Sequence, residues 1–155
     1  MQKFRTKHFG EIEYDPNLII TFTLGIPGFP QYTEYLLMSE EDDEDAFFWL
    51  QSLEDSDVAF TLMNVYKYKP DYDPQVDPDD ISDLGDLSGD TLEIYNIAVI
   101  PEDTKKMRVN LKAPIVINSE TGQGKQIVCL NDDYPIRYMI VEELERAGKP
   151  AIKVP

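Results

Sequence analysis

The stretch from Met107 to Arg137 most constrains what this chain can fold into. It holds two runs rich in β-branched residues, Val109 to Ile117 and Gln126 to Leu130, separated by Asn118 to Lys125 with its two glycines. This pattern predicts a β-hairpin with a longer loop. Because both runs are too apolar for strands with one solvent-exposed face, we expect central strands that are packed on both sides. Pro114 cannot donate to a ladder and therefore predicts a bulge or an edge.

Most of the remaining chain predicts short strands with turn residues between them. They are Phe4 to His8, a return strand from Ile12, Leu18 to Phe22, Ala46 to Leu53, Val58 to Val65, Leu92 to Ile100 and Ile136 to Ile140. Gln31 to Met38 fits either a short helix or a strand. One or two helical turns are predicted at Asp79 to Gly85 and a short helix at Val141 to Ala147, with a frayed tail behind it. We expect Trp49 and Cys129 in the core.

These elements predict an all-β protein: a compact, antiparallel, β-barrel-like single domain with a few short helices. The domain spans residues 1–155, with a barrel core over about 1–139 and a C-terminal helix and tail over about 140–155. Closure into a barrel would protect apolar strand edges from aggregation. No opening stretch has a basic segment before an apolar core, and no apolar run approaches the ~20 residues of a membrane span. We therefore expect a soluble cytoplasmic protein.

Negative charge is concentrated in one third of the chain. The formal net charge is −16, and residues 40–90 hold 17 acidic and two basic residues. A concentrated negative field repels polyphosphate and attracts basic protein surfaces, so we expect a basic protein partner and no direct binding of nucleic acid. The alternative is that acidic loops only keep a small protein soluble.

Catalytic and metal-binding patterns are weak. His8 is the only histidine and no nucleophile-elbow sequence accompanies it. The acidic stretch from Asp77 to Ser82 lacks the ligand and turn glycine of an EF-hand loop. Thr121 to Gln126 resembles a phosphate-binding loop only faintly, because Ser119 replaces a glycine and Gln126 replaces the metal-binding hydroxyl. We expect no enzyme, no cofactor and no metal site.

Several motifs together resemble the FliW family of flagellar assembly factors. They are Gly25 to Phe29, Phe48 to Ser52, Asp57 to Phe60, Pro70 to Tyr72, Asn110 to Asn118, Gly124 to Gln126 and Asp133 to Arg137. The likeness covers roughly residues 1–138 in the right order. Lys67 and Lys69, where apolar residues are expected, and the longer tail after Tyr138 depart from the pattern.

The resemblance implies a non-enzymatic cytoplasmic protein with a β-barrel-like fold that binds flagellin and the translational repressor CsrA. It implies partner switching: once flagellin is secreted, the free factor binds CsrA and relieves repression of flagellin mRNA. We expect a monomer when free. The alternative function is that of an acidic nucleic-acid mimic or a general adaptor for basic proteins.

Partner contacts are predicted at aromatic residues in irregular, acid-flanked segments and at neighbouring acids, because aromatic anchors ringed by charge are typical of interfaces. Three further residues lie in the strongest motif, where a backbone bend explains them as well as binding does. The candidates are Phe29, Tyr32, Tyr66, Asp71, Tyr72, Asp73, Glu93 and Tyr95, together with Asn110, Lys112 and Pro114.

Overall fold

The computed structural model describes residues 1–39, 47–85 and 91–154. Within these ranges the chain forms ten strands and two short α-helices, with single 3₁₀ turns between some of them. The strands are β1 (Gln2–Thr6), β2 (Gly10–Tyr14), β3 (Ile20–Thr21), β4 (Glu34–Met38), β5 (Phe47–Ser52), β6 (Ala59–Met63), β7 (Leu92–Val99), β8 (Arg108–Val109), β9 (Ile115–Asn118) and β10 (Gln123–Gln126). The helices are α1 (Pro78–Ile81) and α2 (Ile140–Arg146). The all-β class is confirmed.

Eight of the described strands form one curled sheet in the order β6-β5-β4-β3-β10-β9-β7-β8, and β1 pairs only with β2. β7 changes partner along its length: its first half pairs with β9, Asn96 and Ile97 pair with β6, and its end pairs with β8. The β6–β7 pairing makes the sheet barrel-like. It is not a closed barrel. β3 and β10 are joined by only one residue pair, Thr21 and Gln123, and β8 pairs with β7 at the end of the strand order.

The central hairpin is shorter than predicted. β9 and β10 are antiparallel, with Asn118 opposite Gln123, so only four residues connect them. All four residues of β9 are buried, as expected for a strand packed on both sides. The prediction of one strand from Val109 to Ile117 is wrong. Asn110 Oδ1 accepts a hydrogen bond from the Ala113 N–H at 2.9 Å, which holds the backbone in a turn just before Pro114.

The second run of the hairpin also ends early, because β10 stops at Gln126. Beyond it, the Ile127 N–H donates to the Pro114 carbonyl and the Cys129 N–H donates to the Lys112 carbonyl. Ile127 and Cys129 are buried, whereas Val128 and Leu130 are more than half exposed. The run is therefore extended, with one side exposed to solvent. The prediction of a strand packed on both sides is wrong here, and the burial of Cys129 is confirmed.

Other predictions divide between confirmed and wrong elements. The β5–β6 hairpin, the long β7 and helix α2 are confirmed, and residues 34–38 form a strand instead of a helix. The strand predicted for Leu18 to Phe22 shrinks to two residues, because Asp15 caps a 3₁₀ turn over Pro16–Leu18. The strand predicted for Ile136 to Ile140 is a single bridge between Tyr138 and Val109. The exposed loop predicted over residues 40–45 lies outside the described residues.

Two main apolar clusters fill the interior. One includes Phe22, Tyr35, Leu50 and Ile115 inside the curled sheet. The other includes Phe47, Tyr72, Met107, Leu111 and Ile140, between the sheet and helix α2. Trp49 is only half-buried, with its ring edge-on to that of Phe9 at 5.8 Å. The tail is not frayed over its described length, because Ile152 is 9% exposed and belongs to the second cluster.

Candidate functional site

A cleft of about 300 Å³ opens where the sheet is least continuous, beside the single β3–β10 pair. Its walls come from the end of the Pro16–Leu18 turn, from β3, β4, β7 and β9, and from the turn that joins β9 to β10. Gly122 lets this turn approach β3: its φ is +71°, and an added Cβ would lie 3.1 Å from the Ile19 carbonyl. The Thr21 N–H then donates to the Gly122 carbonyl at 2.8 Å.

The cleft combines apolar side chains with carboxylates. Ile20, Leu37 and Ile117 line it together with Glu93 and Glu120, and the remaining lining residues include no lysine and no arginine. Leu18 lines the cleft and is 65% exposed, so it adds accessible apolar surface there. Carboxylates beside apolar surface suit a partner segment that carries both cationic and aliphatic side chains.

Of the predicted contact residues, Glu93 lies in this cleft. Tyr95, two residues along β7, donates its hydroxyl hydrogen to Glu93 Oε2 at 2.9 Å. Burial first, and then this hydrogen bond, raise the pKa of the Tyr95 hydroxyl, so it remains a donor and orients the carboxylate. The ring of Tyr95 is buried against that of Phe48. Tyr95 therefore supports Glu93 from inside the sheet and does not reach the surface itself.

Phe29 and Tyr32 form a half-buried aromatic patch. Their rings stack at 6.4 Å, and Phe60 meets Phe29 edge-on at 5.6 Å. The Tyr32 hydroxyl donates to Asp55 Oδ2 at 2.8 Å, which raises the pKa of the tyrosine. The two rings therefore lie beside a carboxylate, and their contact with a partner stays a prediction. It lies at the β4 and β5–β6 connections, and neither Phe29 nor Tyr32 lines the cleft.

Carboxylates beside this patch also hold the loops together. Glu54 Oε1 accepts the N–H groups of Thr33 and Glu34 at 2.7 and 2.9 Å, which lowers the pKa of the carboxyl. The Asp57 N–H and then the Tyr32 hydroxyl lower the pKa of Asp55 in the same way. These acids are therefore ionised at neutral pH and tie the β5–β6 turn to the start of β4.

Tyr72 is a core residue, which corrects its assignment as a surface anchor. It is 2% exposed; its hydroxyl donates to the Leu111 carbonyl at 2.7 Å and accepts from Asn96 Nδ2 at 3.0 Å. Tyr66 is half-buried against it, with ring centroids 5.6 Å apart. Asp71 and Asp73 beside it are exposed, Asp71 pairing with Lys69 at 3.1 Å and Asp73 accepting from Gln75.

The three candidates from the strongest motif shape the backbone. Asn110 closes the turn onto Ala113, Lys112 Nζ donates to the Asn131 carbonyl, and Pro114 is buried. They favour the backbone-bend explanation for Lys112 and Pro114. Asn110 also borders an open groove, which lies at the β7–β8 edge, away from the cleft.

The acids of the described residues 47–85 do not lie in one place. Of the 17 acids in residues 40–90, nine fall in the described range 47–85. These nine divide among the β5–β6 turn, the Asp71–Asp73 segment beside Lys69, and the α1 region beside Lys125. The fold therefore distributes them around the sheet, with the α1 region next to the turn that borders the cleft.

The two cations of β1, Lys3 and Arg5, lie opposite acids. In the β1–β2 register Lys3 lies opposite Glu13 and Arg5 lies opposite Glu11, so each cation has a carboxylate directly across the hairpin. In the described ranges 1–39, 47–85 and 91–154 no group of three or more possible ligands is placed to hold a metal ion. Among the same residues, no helix has the length and apolar character needed to span a membrane.

Sequence reasoning missed most of the cleft. The sequence places Leu18 inside a predicted strand and gives no functional signal at Leu37, Glu120 or Thr121. One available signal is the Asp15-Pro16 pair: Asp15 caps a 3₁₀ turn over Pro16–Leu18, and Leu18 at the end of this turn is 65% exposed. The rest depends on which strands become neighbours.

Comparisons with known proteins agree on one family. The family model described as FliW protein matches residues 3–140. A flagellar assembly factor FliW of Alkaliphilus metalliredigens is 40% identical over 142 residues, covering 92% of this chain and 88% of the relative. One of Thermoanaerobacter pseudethanolicus is 40% identical over 145 residues, covering 94% and 97%. A crystal structure of the flagellar assembly factor FliW superimposes with a TM-score of 0.80 at 30% identity, covering 88% of this chain and 95% of that one.

Proposed function

The chain belongs to the FliW family of flagellar assembly factors, and we propose that it is a non-enzymatic, cytoplasmic regulator that binds flagellin and antagonises the translational repressor CsrA. When flagellin is scarce, the free protein sequesters CsrA and flagellin mRNA is translated. When flagellin accumulates, it occupies the protein and releases CsrA. The chain works as a monomer that exchanges partners.

Family membership over residues 3–140 is the observation that carries this proposal. The surface supports it. An RNA-binding repressor must offer cations to phosphate, and this chain offers the Glu93–Glu120 cleft, which has carboxylates and exposed apolar side chains and no cation in its lining. The Phe29–Tyr32 patch with Asp55 is a second surface of the same chemistry.

Charge also explains how the bound protein would oppose RNA. A net charge of −16 next to the repressor's cationic surface raises the electrostatic cost of bringing in polyphosphate. Because this attraction acts between surface charges, binding weakens as salt rises from about 50 mM to about 300 mM. A complex whose affinity is independent of salt would contradict the electrostatic part of the proposal.

The test is a calorimetric titration of CsrA into this protein, with and without flagellin. We expect a complex with CsrA that flagellin reduces. We expect the charge reversal E93K/E120K to weaken CsrA binding by at least about tenfold, the equivalent of 1.4 kcal/mol. The matched control, E102K/E145K, reverses two exposed glutamates away from the cleft and is expected to change affinity by no more than about twofold. Absence of any complex with CsrA or flagellin would refute the proposal.

The alternative, a nucleic-acid mimic or general adaptor for basic proteins, is favoured only by the charge of −16. The same titration with an unrelated basic protein such as cytochrome c separates the two functions. Binding of comparable affinity to CsrA and cytochrome c would support the alternative, and selective binding to CsrA supports the regulator.

A further inference from the structure

A second groove, of about 220 Å³, lies at the β7–β8 edge and has the opposite charge. Its lining includes Ile97 and Val99 of β7, Arg108 of β8, and Ile136 and Arg137 of the segment that follows the Asp133–Pro135 turn. None of its lining residues is acidic, in a chain that has 30 acidic and 14 basic residues.

The strand register explains why these side chains share one face. Val99 lies opposite Arg108, and Val109 is bridged to Tyr138 on its other side. Side chains alternate between faces along each strand, so Ile97, Val99 and Arg108 lie on the outer face, and Arg137 joins them one position before the bridge. Val109 and Ala98 point the opposite way and are buried at 1% and 5% exposure.

The two guanidinium groups are available for a ligand. Across residues 1–39, 47–85 and 91–154 the ion pairs formed by Lys69, Lys106, Lys125 and Arg146 are all directed at carboxylates, whereas Arg108 and Arg137 form none. In so acidic a protein, two unpaired arginines beside each other are a local exception to the overall charge. Arginine binds carboxylates through paired donors, which gives such a site geometric selectivity.

Exposed aliphatic surface accompanies the arginines. Ile136 is 64% exposed and Val99 is 44% exposed, on opposite borders of the groove. The combination of apolar side chains and unpaired guanidinium groups is complementary to a segment with alternating aliphatic and acidic side chains. Nucleic acid fits less well, because two cations offer little counterion release and the remaining field of the chain repels phosphate.

We propose that the Arg108–Arg137 groove is a docking site for an acidic, amphipathic peptide segment of a protein partner. This surface is separate from the Glu93–Glu120 cleft and does not depend on the proposed function. The attraction between the two arginines and an acidic segment acts only over a short distance, because the Debye length at physiological salt is about 8 Å. The arginines therefore outweigh the repulsion from distant acids only when the segment is in contact with the groove. The groove therefore contributes selectivity after encounter.

The experiment uses the full chain and a fluorescein-labelled peptide in which aspartate and glutamate alternate with leucine and isoleucine. A matched peptide carries lysine in place of each acid, and a single-stranded oligouridine is the third probe. We expect the acidic peptide to bind by fluorescence anisotropy at least about tenfold more tightly than the basic one, and the oligouridine not to bind at the groove. In ¹H–¹⁵N NMR, the amide shifts caused by the acidic peptide should centre on Ile97, Asn110 and Arg137.

Two variants with the same charge change separate the groove from general charge effects. We expect R108E/R137E to weaken the acidic peptide by at least about tenfold, and the control K7E/K153E, at exposed lysines outside the groove, by no more than about twofold. I136S should weaken it with all charges kept. The proposal is overturned if the acidic peptide does not bind, if its NMR shifts lie elsewhere, or if the oligouridine occupies the groove instead. Since the NMR readout uses the unmodified chain, misfolding of a variant leaves the test intact.

Discussion

Tyr72 shows how one hydroxyl can organise a β-rich interior. Its oxygen lies between the Leu111 carbonyl, to which it donates, and Asn96 Nδ2, from which it accepts. Asn96 Nδ2 also donates to the Asn110 carbonyl at 2.8 Å. The pair therefore connects β7 with the turn after β8, and burial raises the pKa of the tyrosine so that it stays a donor.

Tyr72→Phe should lower the free energy of unfolding by about 1–2 kcal/mol, because the buried Leu111 carbonyl loses its hydroxyl donor and keeps only the weak Cys129 thiol at 3.9 Å. Tyr66→Phe is the matched control: its ring neighbours Tyr72, and we expect a change within about 0.5 kcal/mol. Urea unfolding followed by circular dichroism measures both. Equal effects would show that the hydrogen bond to Leu111 contributes no net stability.

Glu54 and Asp55 make stability depend on pH. Their folded pKa values lie below the ordinary 4.5 and 3.8 because of the backbone N–H donors of Thr33, Glu34 and Asp57. The unfolded chain therefore binds more protons, so this contribution is present above the ordinary pKa values and is lost as the pH falls through the lowered ones. We expect E54Q/D55N to be less stable than the parent at pH 7 and to lose less stability on acidification. Parallel pH profiles of the urea midpoint would contradict this account.

At the scale of elements, the connection from Gly25 to Pro30 is a rigid corner between β3 and β4. Ile26 and Phe29 form an isolated bridge across it, and the Gly25 N–H donates to the Phe22 carbonyl. Gly25 has a φ of +68°, and an added Cβ would lie 2.6 Å from the Pro30 Cα. Gly28 has a φ of +94° but open space around it.

Gly28→Ala should cost about 1 kcal/mol, the strain of a left-handed backbone alone. Gly25→Ala should cost at least about 1 kcal/mol more, because backbone atoms must also move. Thermal and urea unfolding of the two variants measure the difference. If the two substitutions lower the free energy of unfolding equally, the backbone at Pro30 moves away without cost and the corner is not rigid.

The tail behind helix α2 is part of the fold. Gly148, at φ +68°, ends the helix and turns the chain back, and Ile152 enters the cluster that contains Leu144 and Tyr72. Ile152→Ala should reduce stability by about 2 kcal/mol through lost apolar contact. Lys153→Ala, an exposed neighbour, should change it by no more than about 0.5 kcal/mol. If Ile152→Ala leaves the stability unchanged, the tail is frayed, as the sequence predicts, and Ile152 contributes nothing to the fold.

At the scale of the molecule, the net charge of −16 acts against compactness. Lys69, Lys106, Lys125 and Arg146 form ion pairs with carboxylates, but the chain has 30 acidic and only 14 basic residues, so many acids repel one another. We expect the midpoint of thermal unfolding to rise by about 3–6 °C between about 10 mM and about 200 mM potassium chloride, as screening weakens this repulsion. A midpoint that stays constant or falls would contradict a destabilising net repulsion between the acids.

The whole molecule also carries two surfaces of opposite character. The cleft beside the β3–β10 junction has carboxylates and no cation, and the β7–β8 groove has two arginines and no acid. β7 contributes to both, with Glu93 near its beginning and Val99 at its end. The two surfaces therefore differ in chemistry and lie at separate places on this chain.

Local patterns in the sequence determined the elements that depend on neighbouring residues. Alternating and β-branched runs predicted β5, β6 and β7, acids before Arg146 and Gly148 predicted α2, and a set of short motifs identified the family. Tertiary structure decided the features that depend on contacts between distant residues, which a local sequence pattern does not encode. Burial of Tyr72 and Tyr95, the division of the hairpin run at Asn110, and the meeting of Arg108 with Arg137 all depend on pairings between residues far apart in the chain. Whether a side chain in a strand is buried or exposed depends on what covers its face of the sheet, and that is settled only when distant strands come together.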